Sequence, residues 1–254
     1  MNVVIITGAS SGMGQEFALQ LDAIFHNMDE IWLIARREER LEALSKALRT
    51  KSRIIAMDIT DSFYMEQFDK ILKLSRPNVR MLVNCAGFGL MGGFTKISMQ
   101  EQLSMLRLNC IALTEMTYRC LLYMHKNARI IQLASSAAFL PQANFAVYAA
   151  SKAYVLSFSQ ALNQELRKRQ IFVTSVCPGP VDTEFFDIAE KYGKTLSVKK
   201  LTMVTADRVV KQAIKDSYHK KALSVCSLPI KAFHGLTKLL PHSLIFHVMR
   251  MMYR

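Results

Sequence analysis

The chain has 254 residues, 51% of them hydrophobic and 21% charged, with a formal net charge of +13. That length fits one large α/β domain, more readily than two small ones, and a core of that size needs no disulfide or metal staple. Cys85, Cys110, Cys120, Cys177 and Cys226 stand in apolar contexts without a CxxC, and the histidines form no HxxxH or HxH pair, so reduced thiols are expected rather than bridges or a metal site.

MNVVIITGAS enters a strand directly, with no basic n-region, and apolar runs elsewhere are cut by charge before the ~18 residues a spanning helix needs. Neither a signal peptide nor a spanning segment is expected, and a cytoplasmic setting is. Charge is unevenly placed. From Lys191 to Arg254 thirteen Lys and Arg face only Asp207 and Asp216. Such a segment suits an anionic membrane, nucleic acid, an acidic partner or a merely solvated surface. Only the charge speaks for nucleic acid, and none is expected as a partner.

Val3 to Thr7 is a β-branched run followed at once by Gly8, Ala9, Ser10, Ser11, Gly12, Met13 and Gly14, then by the helical pattern QEFALQLDAIF. A strand, a glycine turn and a helix start in that order offer backbone amides and a favourable dipole to a pyrophosphate. EIWLIARR (Glu30 to Arg37) is a second strand, ending where an acidic side chain would bind a ribose 2′-hydroxyl. Instead, Ala35 leaves room and Arg36 and Arg37 offer guanidinium donors, which favours NADP(H) over NAD(H). The same two arginines also suit the opening of a solvated helix, EERLEALSKALR.

RIIAMDIT (Arg53 to Thr60) is a third strand, with Asp58 at its end and Thr60 or Asp61 available to cap the next helix. MLVNCAGFG (Met81 to Gly89) is a fourth, running into another glycine turn. SMQEQLSMLRLNCIALTEMTYRCLLYMHK is helical by period, and Asn109 lies in its apolar middle, either a satisfied core amide or a site group. ARIIQL is a buried strand leading to Ser135. The helical run VYAASKAYVLSFSQALNQELRK then puts Tyr148 and Lys152 four apart on one face. An ammonium near a phenol favours its ionised form and would draw the tyrosine toward neutral pH. Taken alone, the pair is equally an ordinary packed helix face.

IFVTSVCPGPVDTEFF gives a sixth strand and the turn at Pro178, Gly179 and Pro180. Residues 187 to 200 form a lysine-rich segment expected to be mobile over a cleft, and ALSVCS (Ala222 to Ser227) is a last short strand. Alternating strands and helices imply a parallel sheet covered on both faces, with ligands beyond the carboxyl ends of its strands.

With these residues assembled, the chain resembles the classical short-chain dehydrogenase/reductase family over about residues 2 to 185, and more weakly to about 227. The family's TGxxxGxG is met by Thr7, Gly8, Gly12 and Gly14. Its NNAG is met by Asn84, Cys85, Ala86 and Gly87, with one departure at Cys85. Its Asn, Ser, Tyr and Lys fall on Asn109, Ser135, Tyr148 and Lys152, and its PG turn on Pro178 and Gly179, with Thr183 beyond.

The resemblance implies a Rossmann-like, doubly wound sheet and a reaction in which hydride from NADPH reaches a carbonyl carbon. Tyr148 would donate the proton and Ser135 would hold the oxygen. Lys152 would bias Tyr148 and bind the nicotinamide ribose, and Asn109 would hold a proton-relaying water. It further implies a homodimer or homotetramer acting on a small carbonyl or alcohol substrate.

Expected domains are a catalytic Rossmann unit at 1–227 and a basic amphipathic extension at 228–254. For the extension, IKAFHGLTKLLPHSLIFHVMRMMYR, three roles stay open: a peripheral membrane contact, the wall of an apolar pocket, or packing on a second subunit. The expected function is an NADP(H)-dependent interconversion of an apolar ketone and its secondary alcohol. The alternative is a non-catalytic NADP(H)-sensing or scaffold protein on the same fold.

Overall fold

The computed structural model describes residues 1–193 and 203–239. Its strands are β1 (Asn2–Thr7), β2 (Glu30–Ala35), β3 (Ser52–Ala56), β4 (Asn78–Asn84), β5 (Arg129–Leu133), β6 (Phe172–Val176), β7 (Val181–Asp182), β8 (Val204–Thr205) and β9 (Leu223–Ser224). Seven of them form one sheet in the order β3-β2-β1-β4-β5-β6-β9, every neighbouring pair parallel. β7 and β8 pair separately.

Parallel strands buried on both faces can be apolar at every position. β1 and β2 show it. Val3, Ile5, Trp32 and Ile34 enter one core layer, while Val4, Ile6, Ile31 and Leu33 enter the other. The helices are α1 (Gly12–Ile24), α2 (Glu38–Ala47), α3 (Ser62–Ser75), α4 (Met99–Leu106), α5 (Leu113–Leu121), α6 (Ala146–Glu165), α7 (Phe185–Ala189), α8 (Ala206–Tyr218) and α9 (Leu228–Leu239). Phe68 of α3, Met116 of α5 and Leu162 of α6 cover the first layer. Phe17 of α1, Leu41 of α2 and Val210 of α8 cover the second. The doubly wound parallel sheet is as the sequence predicts.

Several boundaries differ from expectation. β2 stops at Ala35, and Arg37 is the extended residue that opens α2. β3 stops at Ala56, because Asp58 turns the chain by accepting from the backbone N–H and hydroxyl of Thr60 at 2.9 and 2.7 Å. Asp61 caps α3 by accepting from the Phe63 N–H. The long helix expected before β5 is interrupted by a π turn at Arg107–Ala112 between α4 and α5. Asn109 lies in that turn and is fully buried.

The segment expected to be mobile spans 187–200. Residues 187–189 belong to α7, Lys191 and Tyr192 bond Glu101, and residues 194–200 lie outside the described residues. α9 begins at Leu228, and its Ile230 and Phe233 join Ala134, Phe139, Val155 and Cys177 in one apolar cluster. The described part of the expected extension thus packs on the body of the chain. Residues 240–254 lie outside the described residues. Among the described residues no helix is long and apolar enough to cross a membrane.

Candidate active site

Strand order reverses between β1 and β4, which leave their carboxyl ends side by side in the place where open α/β sheets bind ligands. A cleft of about 610 Å³ opens there. Gly8, Ser10, Ser11, Gly12, Met13, Gly14, Arg36, Arg37, Asp58, Ala86, Gly87 and Thr183 of the expected cofactor group line it. Gly8 has φ +69°, and a Cβ there would lie 2.8 Å from the Ala86 amide nitrogen, so a side chain would close the contact between the two glycine turns.

The remaining expected residues stand behind the cleft wall. Thr7 accepts from the N–H groups of Cys85 and Ala86 at 3.1 and 3.2 Å, tying β1 to the turn after β4. Asn84 donates to Thr117 and Gln132 at 2.9 and 3.0 Å. The Pro178 carbonyl accepts from the Ser136 N–H at 2.8 Å, and Gly179 lies against Ile230 of α9. None of these four lines the cleft; they brace it.

At the end of β2 the two arginines are not equivalent. Arg36 is exposed, 3.8 Å from Asp58. Arg37 donates from Nε and Nη2 to Ser10 at 3.2 and 3.1 Å, from Nη2 to Ser11 at 2.7 Å, and from Nη1 to Glu184 at 3.1 Å. Arg40 donates to the other oxygen of Glu184 at 2.5 Å. These two bonds hold the Glu184 carboxyl below the usual carboxylate range. Sequence spacing gave no sign of Arg40 or Glu184, which lie 144 residues apart.

Asn109 and Lys152 lie beside Gly87, where a Cβ would come within 2.9 and 3.4 Å of them, and the Tyr148 ring lies beside Gly89. Asn109 donates to the Phe88 carbonyl at 2.9 Å and to Ser151 at 3.0 Å, and accepts from the Phe88 N–H at 3.1 Å. Those bonds hold the π turn of a helix that would otherwise run straight. Ser151 donates to the Tyr148 carbonyl at 2.7 Å, so Asn109 is linked to α6. Ser135 caps the short turn after β5, accepting from the Ala137 N–H at 3.1 Å. Its hydroxyl also favours the ionised form of the nearby Tyr148 phenol.

Tyr148 and Lys152 share one buried face of α6. Lys152 donates to the Leu133 carbonyl at 2.6 Å, with Nζ 5.7 Å from the centre of the Tyr148 ring. Burial disfavours charge on both groups. It pushes the phenol up to about 12, against the influence of Ser135 that lowers it, and pushes the ammonium down to about 8. The expectation that Lys152 draws Tyr148 toward neutrality is therefore corrected for this state: the ammonium serves a carbonyl, and desolvation outweighs it.

An apolar wall stands on the far side of Tyr148. The Phe145 ring stacks on it with centroids 4.2 Å apart, and the Phe185 ring lies 5.5 Å away. Leu90, Met91, Ile97 and Ala189 complete the cluster. None of these was singled out from the sequence. Phe185 also lines the cleft, so α7 borders both the glycine loop and the apolar side.

The residues fit a nicotinamide dinucleotide. Loop amides at a helix N-terminus suit a pyrophosphate, and Arg36, Arg37, Ser10 and Ser11 form a donor set at the β2 end. The short chain dehydrogenase family matches residues 2–192. A rat protein named 17-beta-hydroxysteroid dehydrogenase type 3 is 28% identical over 219 residues, covering 83% of this chain and 67% of that protein. A short-chain dehydrogenase from Sphingobium yanoikuyae in complex with NADPH superposes with TM-score 0.77 at 26% identity, covering 95% of this chain and 97% of that one. One from Burkholderia phymatum in complex with NAD gives TM-score 0.79 at 21% identity, covering 92% of each, a likeness of fold. The chain belongs to the short-chain dehydrogenase family of oxidoreductases.

Proposed function

We infer that the protein is an NADP(H)-dependent oxidoreductase that interconverts a ketone and a secondary alcohol on an apolar substrate such as a steroid or fatty acyl ketone. The observation that carries this reading is the buried pair Tyr148 and Lys152 with the half-buried Ser135, next to a nucleotide-sized cleft and an apolar cluster. When bound, the nicotinamide supplies or accepts the hydride.

In reduction, Tyr148 donates the phenolic proton to the carbonyl oxygen as charge develops there, and Ser135 holds the same oxygen. A phenol pushed up to about 12 is protonated at neutral pH, the form a general acid needs. Lys152, turned from the Leu133 carbonyl, would hold the nicotinamide ribose. Asn109 keeps the π turn open and would order the water that returns the proton. Arg36 and Arg37 would hold the 2′-phosphate.

Phe145, Phe185, Leu90 and Met91 favour apolar substrate surface, and the steroid named for the rat relative is consistent with that chemistry. A homo-oligomer placed in the cytoplasm, with any membrane contact made by the basic C-terminal end, completes the reading. Steady-state oxidation of NADPH and NADH with a panel of apolar ketones tests it. Turnover with NADPH supports it, whereas tight nucleotide binding without turnover of any ketone would make the protein a nucleotide sensor.

A further inference from the structure

The geometry points to Glu184 as a specificity-determining residue: its carboxylate occupies the Arg37 guanidinium that a 2′-phosphate would use, and so sets how strongly the protein prefers NADPH. This rests on the cofactor reading given above. Three observations carry it.

First, Glu184 spends both oxygens on this cluster, Oε1 on Arg40 at 2.5 Å and Oε2 on Arg37 at 3.1 Å. Second, the Arg37 guanidinium is the same one that holds Ser10 and Ser11, and Ser10, Ser11, Arg37 and Glu184 all line one cleft. Third, the carboxylate is held in its charged form by its two partners. A fixed negative charge beside a site for a dianion is repulsive, and it also competes for the donors. An NADH ribose, which carries no phosphate there, meets neither penalty.

Glu184 also follows directly on Thr183 and precedes α7, whose Phe185 lies against Tyr148. Exchange of Glu184 for phosphate on Arg37 would loosen this end of α7 from the glycine loop. Its other end is held separately, by Lys191 and Tyr192 on Glu101. The exchange therefore acts on cofactor choice and on the entrance to the apolar side through one residue.

The pairs are about half exposed, 45% and 46% for Arg37 and Glu184, so a modest effect is expected. Glu184→Gln keeps the shape and removes the charge. Its dissociation constant for NADPH, measured by fluorescence titration on the full chain, should fall about two- to fivefold, the scale of exposed ion pairs, with NADH changed far less. Glu184→Asp, which keeps the charge, should stay closer to the wild-type NADPH/NADH ratio than Glu184→Gln does.

An unchanged ratio in Glu184→Gln, or weaker NADPH binding, would overturn the inference even where the wild type prefers NADPH. A wild type with no preference would instead count against the cofactor reading. A ratio that then moves toward NADPH in Glu184→Gln would still support the role of Glu184.

Discussion

Lys152 places its ammonium 2.6 Å from the Leu133 carbonyl, the last residue of β5, and so ties α6 to the strand that leads into Ser135. The bond is bought at a cost in desolvation, since burial pushes the ammonium down to about 8 from an unfolded value near 10.4. Between those two pH values the native state binds fewer protons than the unfolded chain, so stability rises with pH there and the full penalty is present below pH 8. Lys152→Met is expected to be more stable than the wild type at pH 7 by ~1–3 kcal/mol, the shift less the lost carbonyl bond. The difference should shrink toward pH 10. Urea unfolding at both pH values checks this; a variant less stable at pH 7 would mean that the bond outweighs the burial.

Cofactor binding should separate the two arginines at the end of β2. Arg36 touches the cleft and Asp58, so Arg36→Ala should weaken NADPH by about 1.5–3 kcal/mol, as for a hydrogen bond to a charged group, and leave NADH nearly unchanged. Arg37 also holds Ser10 and Ser11, so Arg37→Ala should weaken both nucleotides, NADPH the more. Isothermal titration of each variant with each nucleotide measures the difference. Equal wild-type affinities would contradict the reading of both residues.

Gly89 gives the Tyr148 ring its place. A Cβ at position 89 would sit 2.5 Å from Cδ2 of that ring, which Phe145 blocks from retreating by stacking on it. Gly89→Ala should therefore cost ~1–3 kcal/mol by overpacking and displace the phenol from Ser135. Turnover is expected to drop at least tenfold while NADPH affinity is kept. An alanine variant with wild-type kcat would show that the ring shifts without consequence.

The C-terminal helix offers a further test. Ile230 lies against Gly179, and the Phe233 ring lies 6.5 Å from that of Phe139, next to the turn that begins at Ser135. Truncation after Ser227 should expose Phe139 and Val225 and give a less stable, aggregating protein. Leu228, Leu236 and Leu239 face outward with Lys231 and Lys238, so loss of vesicle binding in a truncated chain that stays folded and active would support a membrane role instead.

Much of this site was legible in the sequence because its signals are local. The glycine turn after Val3 to Thr7 and the spacing of Tyr148 and Lys152 each lie within one strand-to-helix unit, and runs such as Val3 to Ile6 and Ile31 to Ile34 are apolar because both faces of the sheet are buried. What escaped depends on distant partners. The π turn exists because Asn109 finds Phe88 and Ser151, and nothing in the helical period announces it. The bond between Arg37 and Glu184 joins residues 147 apart. The Tyr148 ionisation escapes the sequence for the same reason: helical spacing places Lys152 near the phenol, but burial by distant parts of the chain pushes the phenol up.

The most direct test of the central claim is transfer of label from NADPH deuterated at the reactive nicotinamide carbon to an apolar ketone, read by mass spectrometry of the alcohol. Wild-type protein should place deuterium on the carbinol carbon. Tyr148→Phe, which keeps the ring but not the proton, should do so at least about a hundredfold more slowly with NADPH affinity nearly kept. Labelled alcohol formed by Tyr148→Phe at the wild-type rate, or NADPH bound by the wild type with no labelled alcohol from any ketone tried, would contradict the account.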